Sequence, residues 1–87
     1  MSARESVKIK VRENEFGDYD ILGIEGREEI LREITRRGVP QMLAEDFLNA
    51  YLDSLRGVLT KTQEKLLLRY EYDDAYSFLG EVTEVVQ

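Results

Sequence analysis

The chain has no cysteine, no histidine, no tryptophan and only one proline among its 87 residues. Without cysteine there are no disulfides, thiolate metal sites or thiol nucleophiles. Without histidine, the commonest general base near neutral pH and the commonest zinc ligand are gone as well. No apolar run approaches the roughly 18–20 residues that span a bilayer. Met1 to Glu5 lead into an alternating segment, not the apolar stretch of a signal peptide, so the sequence reads as cytoplasmic, with Met1–Glu5 a flexible N-terminus. A phosphate-binding loop is also missing: Gly23-Ile24-Glu25-Gly26-Arg27-Glu28-Glu29 lacks both the Lys-Ser/Thr of a P-loop and the third glycine of a dinucleotide fingerprint. The expectation is a protein that is not an enzyme and holds no cofactor and no metal.

What is present is charge of both signs, 34% of residues, alongside an ordinary 43% hydrophobic content. This is the composition of a folded domain rather than a disordered chain. A chain of this length forms one domain and buries little more than roughly 60% of its unfolded surface, which makes stabilisation by a partner a natural expectation. The formal net charge is −6. It is uneven: residues 1–40 carry 8 basic against 9 acidic side chains, residues 41–87 carry 4 against 9. An acidic second half disfavours general binding to phosphate backbones.

Val7, Ile9 and Val11 alternate with Lys8, Lys10 and Arg12, the period-2 pattern of a half-buried strand. A polar stretch, Glu13 to Asp20, leads to a second strand with Ile21, Leu22 and Ile24, closed by Gly26. From Arg27, Ile30, Leu31 and Ile34 fall at helical spacing, with acids in the first turn and Arg36-Arg37 in the last. Gly38 is expected as the left-handed residue of a Schellman ending, with Val39 folding back on Ile34 and Pro40 opening the next helix. That helix, Pro40 to Arg56, ends at Gly57, and Val58 is expected to fold back onto Leu52. Thr60 to Gln63 reads as a polar connector. Leu66, Leu68, Tyr70 and Tyr72 alternate as a third strand, with a helix as the weaker alternative. Asp73 or Asp74 then caps a last helix carrying Ala75, Phe78, Leu79 and Val82 inward and extended by Val85 or Val86. The expected fold is α+β in the order β-β-α-α-β-α, a three-stranded antiparallel sheet with helices on one face.

Three surfaces compete for function. At the hairpin tip Glu13, Glu15, Asp18 and Asp20 lack calcium-loop spacing, because Gly17 sits where a ligand is needed. The neighbouring aromatics Phe16 and Tyr19 either tuck over the sheet or anchor a partner. The basic face Lys8, Lys10 and Arg12, with Arg36 and Arg37, is the alternative for nucleic acid; its competing explanation is pairing with carboxylates on adjacent strands. The apolar side of the second helix is broader than one small sheet covers, which makes Met42, Leu48 and Leu52, with Tyr76 on the last helix, candidates for a protein partner or a second copy of the chain. The leading expectation is a small non-catalytic interaction or regulatory protein that uses helix 40–59 and the C-terminal helix.

Overall fold

In a computed structural model that describes residues 7–87, Val7, Ile9 and Val11 are buried and Lys8, Lys10 and Arg12 face the opposite way. The expected alternation thus forms strand β1 (Lys8–Glu13). The flexibility expected of Met1–Glu5 lies outside the described residues. Strand β2 (Tyr19–Glu25) returns antiparallel through a tip organised by Asn14. The Asn14 side-chain oxygen accepts from the backbone N–H of Phe16 at 2.9 Å and of Asp18 at 3.1 Å, and Gly17 takes φ +84°. Lys10 faces Gly23 and Val11 faces Ile21, so Leu22 is an extra, bulged residue. The bulge places both Ile21 and Ile24 on the inner side, with Leu22 and Gly23 between them.

Helix α1 (Arg27–Arg36) has Glu28 and Glu29 in its first turn, Arg36 in its last, and Ile30 and Ile34 fully buried. It closes as expected. Gly38 has φ +118°, the Val39 N–H donates to the Ile34 carbonyl at 3.2 Å, and Val39 is buried. Pro40 is extended and stands before a 3-10 turn, Gln41–Leu43, rather than opening a helix; helix α2 (Ala44–Arg56) follows. Phe47, Leu48, Ala50, Tyr51 and Leu52 of α2 are buried, which makes it the central helix of the core. Gly57 ends it at φ +74°, and the Val58 N–H reaches the Asp53 carbonyl at 3.0 Å. The backbone part of that expectation holds, while the Val58 side chain is 60% exposed.

The main departure lies between residues 60 and 86. Lys61–Leu67 is helix α3, Tyr70–Tyr72 a 3-10 turn, Asp73–Val82 helix α4, and Thr83–Val85 strand β3. Leu66, Leu68, Tyr70 and Tyr72 therefore do not form a strand. Thr60 starts α3 with a capping box: its hydroxyl accepts from the Gln63 N–H at 3.2 Å and the Gln63 side chain accepts from the Thr60 N–H at 2.9 Å. Leu67 and Tyr72 are the residues buried from this stretch, whereas Leu68 and Tyr70 point outward. Asp73 and Asp74 occupy the first turn of α4 and do not cap it; Tyr72 is the residue at the cap position. They still lie where the helix macrodipole favours negative charge.

Val85 belongs to β3 and not to α4. β3 lies parallel to β1, pairing Ile9 with Thr83, Lys10 with Glu84 and Val11 with Val85, and the sheet order is β2-β1-β3. The α+β class, the three strands and the helices on one face are as expected; the sheet is mixed, not wholly antiparallel. The result is a two-layer plate of 37 × 35 × 17 Å. Among the described residues no buried side-chain nitrogen or oxygen lacks a hydrogen-bond partner.

Candidate functional site

The outer face of the sheet carries the basic stripe, and neighbouring strands answer it. Lys10 bonds Glu25 of β2 at 2.9 Å, and Lys8 lies 3.6 Å from Glu84 of β3. The bond to Glu25, and next its charge, raise the Lys10 ammonium above its ordinary pKa and hold the Glu25 carboxyl below its own. Arg12 sits opposite Asp20 in the ladder. Arg36 and Arg37 do not join this stripe. They end α1, in the helical layer, where Arg36 pairs with Glu33 at 3.3 Å and Arg37 bonds both Glu33 and Asp74 at 2.8 Å. Arg37 also lies over the Phe78 ring, 4.9 Å from its centroid. The five cations proposed for nucleic acid are divided between two faces, and four of them are in ion pairs.

The expected partner-binding residues also separate. Leu48 and Leu52 are 0% and 6% exposed and belong to the core, because α2 is covered by the sheet on one side and by α3 on another. Tyr19 is half-buried against that core. Tyr76 is at the surface of α4 with its ring edge-to-face on Tyr51, centroids 5.8 Å apart. Phe16 does not tuck in; it is 81% exposed. Met42 is 87% exposed.

Two further exposed apolar side chains were hidden by the sequence pattern. Leu68 and Tyr70 stand 67% and 81% exposed on the turn between α3 and α4. The turn after α1 and the turn before α4 abut one another, since a Cβ added at Gly38 would lie 3.2 Å from the Glu71 carbonyl oxygen. At the same end, Phe47 meets the Tyr72 ring edge-to-face at 5.8 Å. A hollow of about 540 Å³ opens between α1 and the start of α2, where Leu31 and Ala44 give apolar lining and Arg32, Arg36, Gln41 and Glu45 polar lining. The signal for Leu68 and Tyr70 was the Thr60-to-Gln63 capping box, which makes the following residues a helix and its exit turn.

A second, more polar groove of about 630 Å³ separates β2 from α2 and α3. Ile21, Ile24 and Leu52 contribute aliphatic surface to it. Gly57, just beyond α2, abuts Asp18, just before β2, so α2 and β2 run antiparallel along the groove. Arg27 and Asp46 therefore lie at one end, and Asp53, Arg56 and Gln63 at the other, with Asn49 between. Asp53 accepts from Gln63 at 2.8 Å and lies 3.4 Å from Arg56. The side chains of Arg27, Asp46 and Asn49 make no hydrogen bond or ion pair among the described residues.

No helix among the described residues is long and apolar enough to cross a membrane, and no three of their acidic side chains gather as a metal site. No family model, curated protein or solved structure matches the chain.

Proposed function

We propose that the chain is a non-catalytic protein-interaction domain of the cytoplasm that docks a partner protein on the surface around Met42, Leu68 and Tyr70. The observation that supports this reading is the exposure of these three large side chains on the α1–α2 and α3–α4 connections, which meet at Gly38 and Glu71. Methionine and tyrosine are enriched at the centres of interfaces, and fully burying a Met or Leu side chain contributes about 1.5–3 kcal/mol. A micromolar complex needs about 8 kcal/mol, so a few such anchors supply a useful part of it. The nucleic-acid alternative is weakened by the pairing of Lys8 and Lys10 with Glu84 and Glu25.

The test is co-purification from the native source with wild-type protein and with a Met42→Ser/Tyr70→Ser variant. The expected result is a partner lost from the variant while its circular dichroism and thermal midpoint match wild type. Recovery of the same proteins by the variant would overturn the proposal. So would light scattering that shows self-association broken by these substitutions, because the occupant would then be a second copy.

A further inference from the structure

Sulfur is scarce in this chain and unevenly placed. With no cysteine, Met1 and Met42 are the two side chains that can enter the ladder of sulfur oxidation. Met1 lies outside the described residues, and the buried core is built of valine, isoleucine, leucine, alanine, phenylalanine and tyrosine, with no methionine in it. Met42 is at the opposite extreme, 87% exposed. The turn that carries it is pinned from behind: the Leu43 N–H donates to the Pro40 carbonyl at 2.8 Å, the Ala44 N–H donates to the Gln41 carbonyl, Leu43 packs against the core and Ala44 is buried. An oxidant therefore reaches the Met42 thioether without any opening of the fold. Its product alters the surface and leaves the core untouched.

From these we infer that Met42 is a reversible oxidation site that controls docking: in the thioether form the surface takes its partner, and in the sulfoxide form it releases it. The inference rests on the docking reading above and adds its regulation. The oxidant is a peroxide. One of its oxygens passes to the sulfur, so an S–O bond forms as the O–O bond breaks; the sulfur gives up two electrons and the other oxygen leaves as water. The free domain is the form that reacts, because a seated partner covers the sulfur. The sulfoxide is polar and accepts hydrogen bonds, so burying it against an apolar partner surface forfeits the favourable transfer of the thioether and leaves the new oxygen without a donor. The exposure that admits the oxidant also admits the reductases that return the sulfoxide to methionine.

The experiment treats the purified full chain with dilute hydrogen peroxide, removes the peroxide, and then uses the protein as bait in the co-purification. Peptide mass mapping is expected to show one added oxygen on Met42, with the thermal midpoint of the untreated protein retained and the mass restored by the two methionine sulfoxide reductases. Oxidised wild type should recover at least roughly tenfold less of the partner than untreated protein, and reductase treatment should restore it. Met42→Leu keeps an apolar side chain of similar volume and has no sulfur at this position, so it should recover the partner equally before and after peroxide. If Met42→Leu itself binds weakly, restoration by the reductases, followed by the mass at Met42, is the deciding readout. The inference is overturned if Met42 stays unmodified, if its oxidation lowers the thermal midpoint, if oxidised wild type still recovers the partner in full, or if peroxide abolishes recovery by Met42→Leu as well. Failure of the docking reading is told apart by Met42→Ser/Tyr70→Ser: a partner retained by that variant removes both proposals, whereas a partner lost from it and kept by oxidised wild type removes only the oxidation switch.

Discussion

Removing one hydroxyl, by Tyr51→Phe, tests how β3 is held to the helical layer. The Tyr51 hydroxyl lies 2.7 Å from the Thr83 hydroxyl, which itself donates to the Leu79 carbonyl at 2.7 Å. A threonine hydroxyl has one proton, so Tyr51 is the donor to Thr83. Phenylalanine keeps the buried ring and its edge contact with Tyr76 and leaves Thr83 still bonded to Leu79. The loss should therefore be that of one net hydrogen bond, about 1 kcal/mol, without the extra cost of a stranded buried group. With an unfolding entropy of about 2.1 cal/mol/K per residue, this lowers the thermal midpoint of an 87-residue domain by about 5–6 °C. A pH dependence follows from the same geometry. Burial raises the Tyr51 hydroxyl above its ordinary pKa, with the Thr83 hydroxyl offsetting part of the effect by turning its proton toward the phenolate. Because the unfolded chain ionises first, this contribution is complete below about pH 10 and is lost as pH rises through the folded-state value. Urea melts at pH 7 and at about pH 10.5 should show wild type losing more stability on the alkaline side than Tyr51→Phe. An unchanged midpoint at pH 7, or an alkaline loss as steep in the variant as in wild type, would refute the assigned bond.

Leu48→Ala, at a fully buried position of α2, should cost about 2–5 kcal/mol in urea unfolding; a neutral result would mean that Leu48 is not in the core. Gly57→Ala should cost about 1–2 kcal/mol from its left-handed backbone alone. Its Cβ would also fall within 2.5 Å of the Asp18 carboxylate, so the cost should be smaller in an Asp18→Ala background; an identical cost in both backgrounds would separate the hairpin tip from the end of α2. Thr60→Ala should lose about 1 kcal/mol through its cap, and hydrogen exchange should speed first in Lys61–Leu67; uniform loss of protection would argue against α3 as a locally capped helix.

The hairpin, α1 and α2 were legible because their signals are local. Alternation in residues 7–12, acids and arginines at the proper ends of α1, and the Gly38-Val39 ending each depend on neighbours in sequence. The stretch from 60 to 86 was legible in its parts but not in its assignment. Tyrosine content and an alternating leucine pattern pointed to a strand at 66–72, yet Thr60 and Gln63 had already committed the chain to a helix. At the other end, Gly80 and the run of valine and threonine weakened the last helix on sequence grounds. What sequence could not supply was the place where those β-branched residues pair, beside β1 and parallel to it, across more than seventy residues of chain.

The same limit governs the surfaces. Period alone made Leu48 and Leu52 look like surplus apolar area on α2, because it does not register that α3 covers a side of α2 the three-stranded sheet leaves open. Once α3 is helix and not strand, the surplus is absorbed, and exposed apolar side chains fall at the turn that follows α3, Leu68 and Tyr70. The third strand is instead β3, which lies on the far side of β1 from β2. One misread segment therefore relocates the exposed apolar side chains, from the middle of α2 to the connection between α3 and α4.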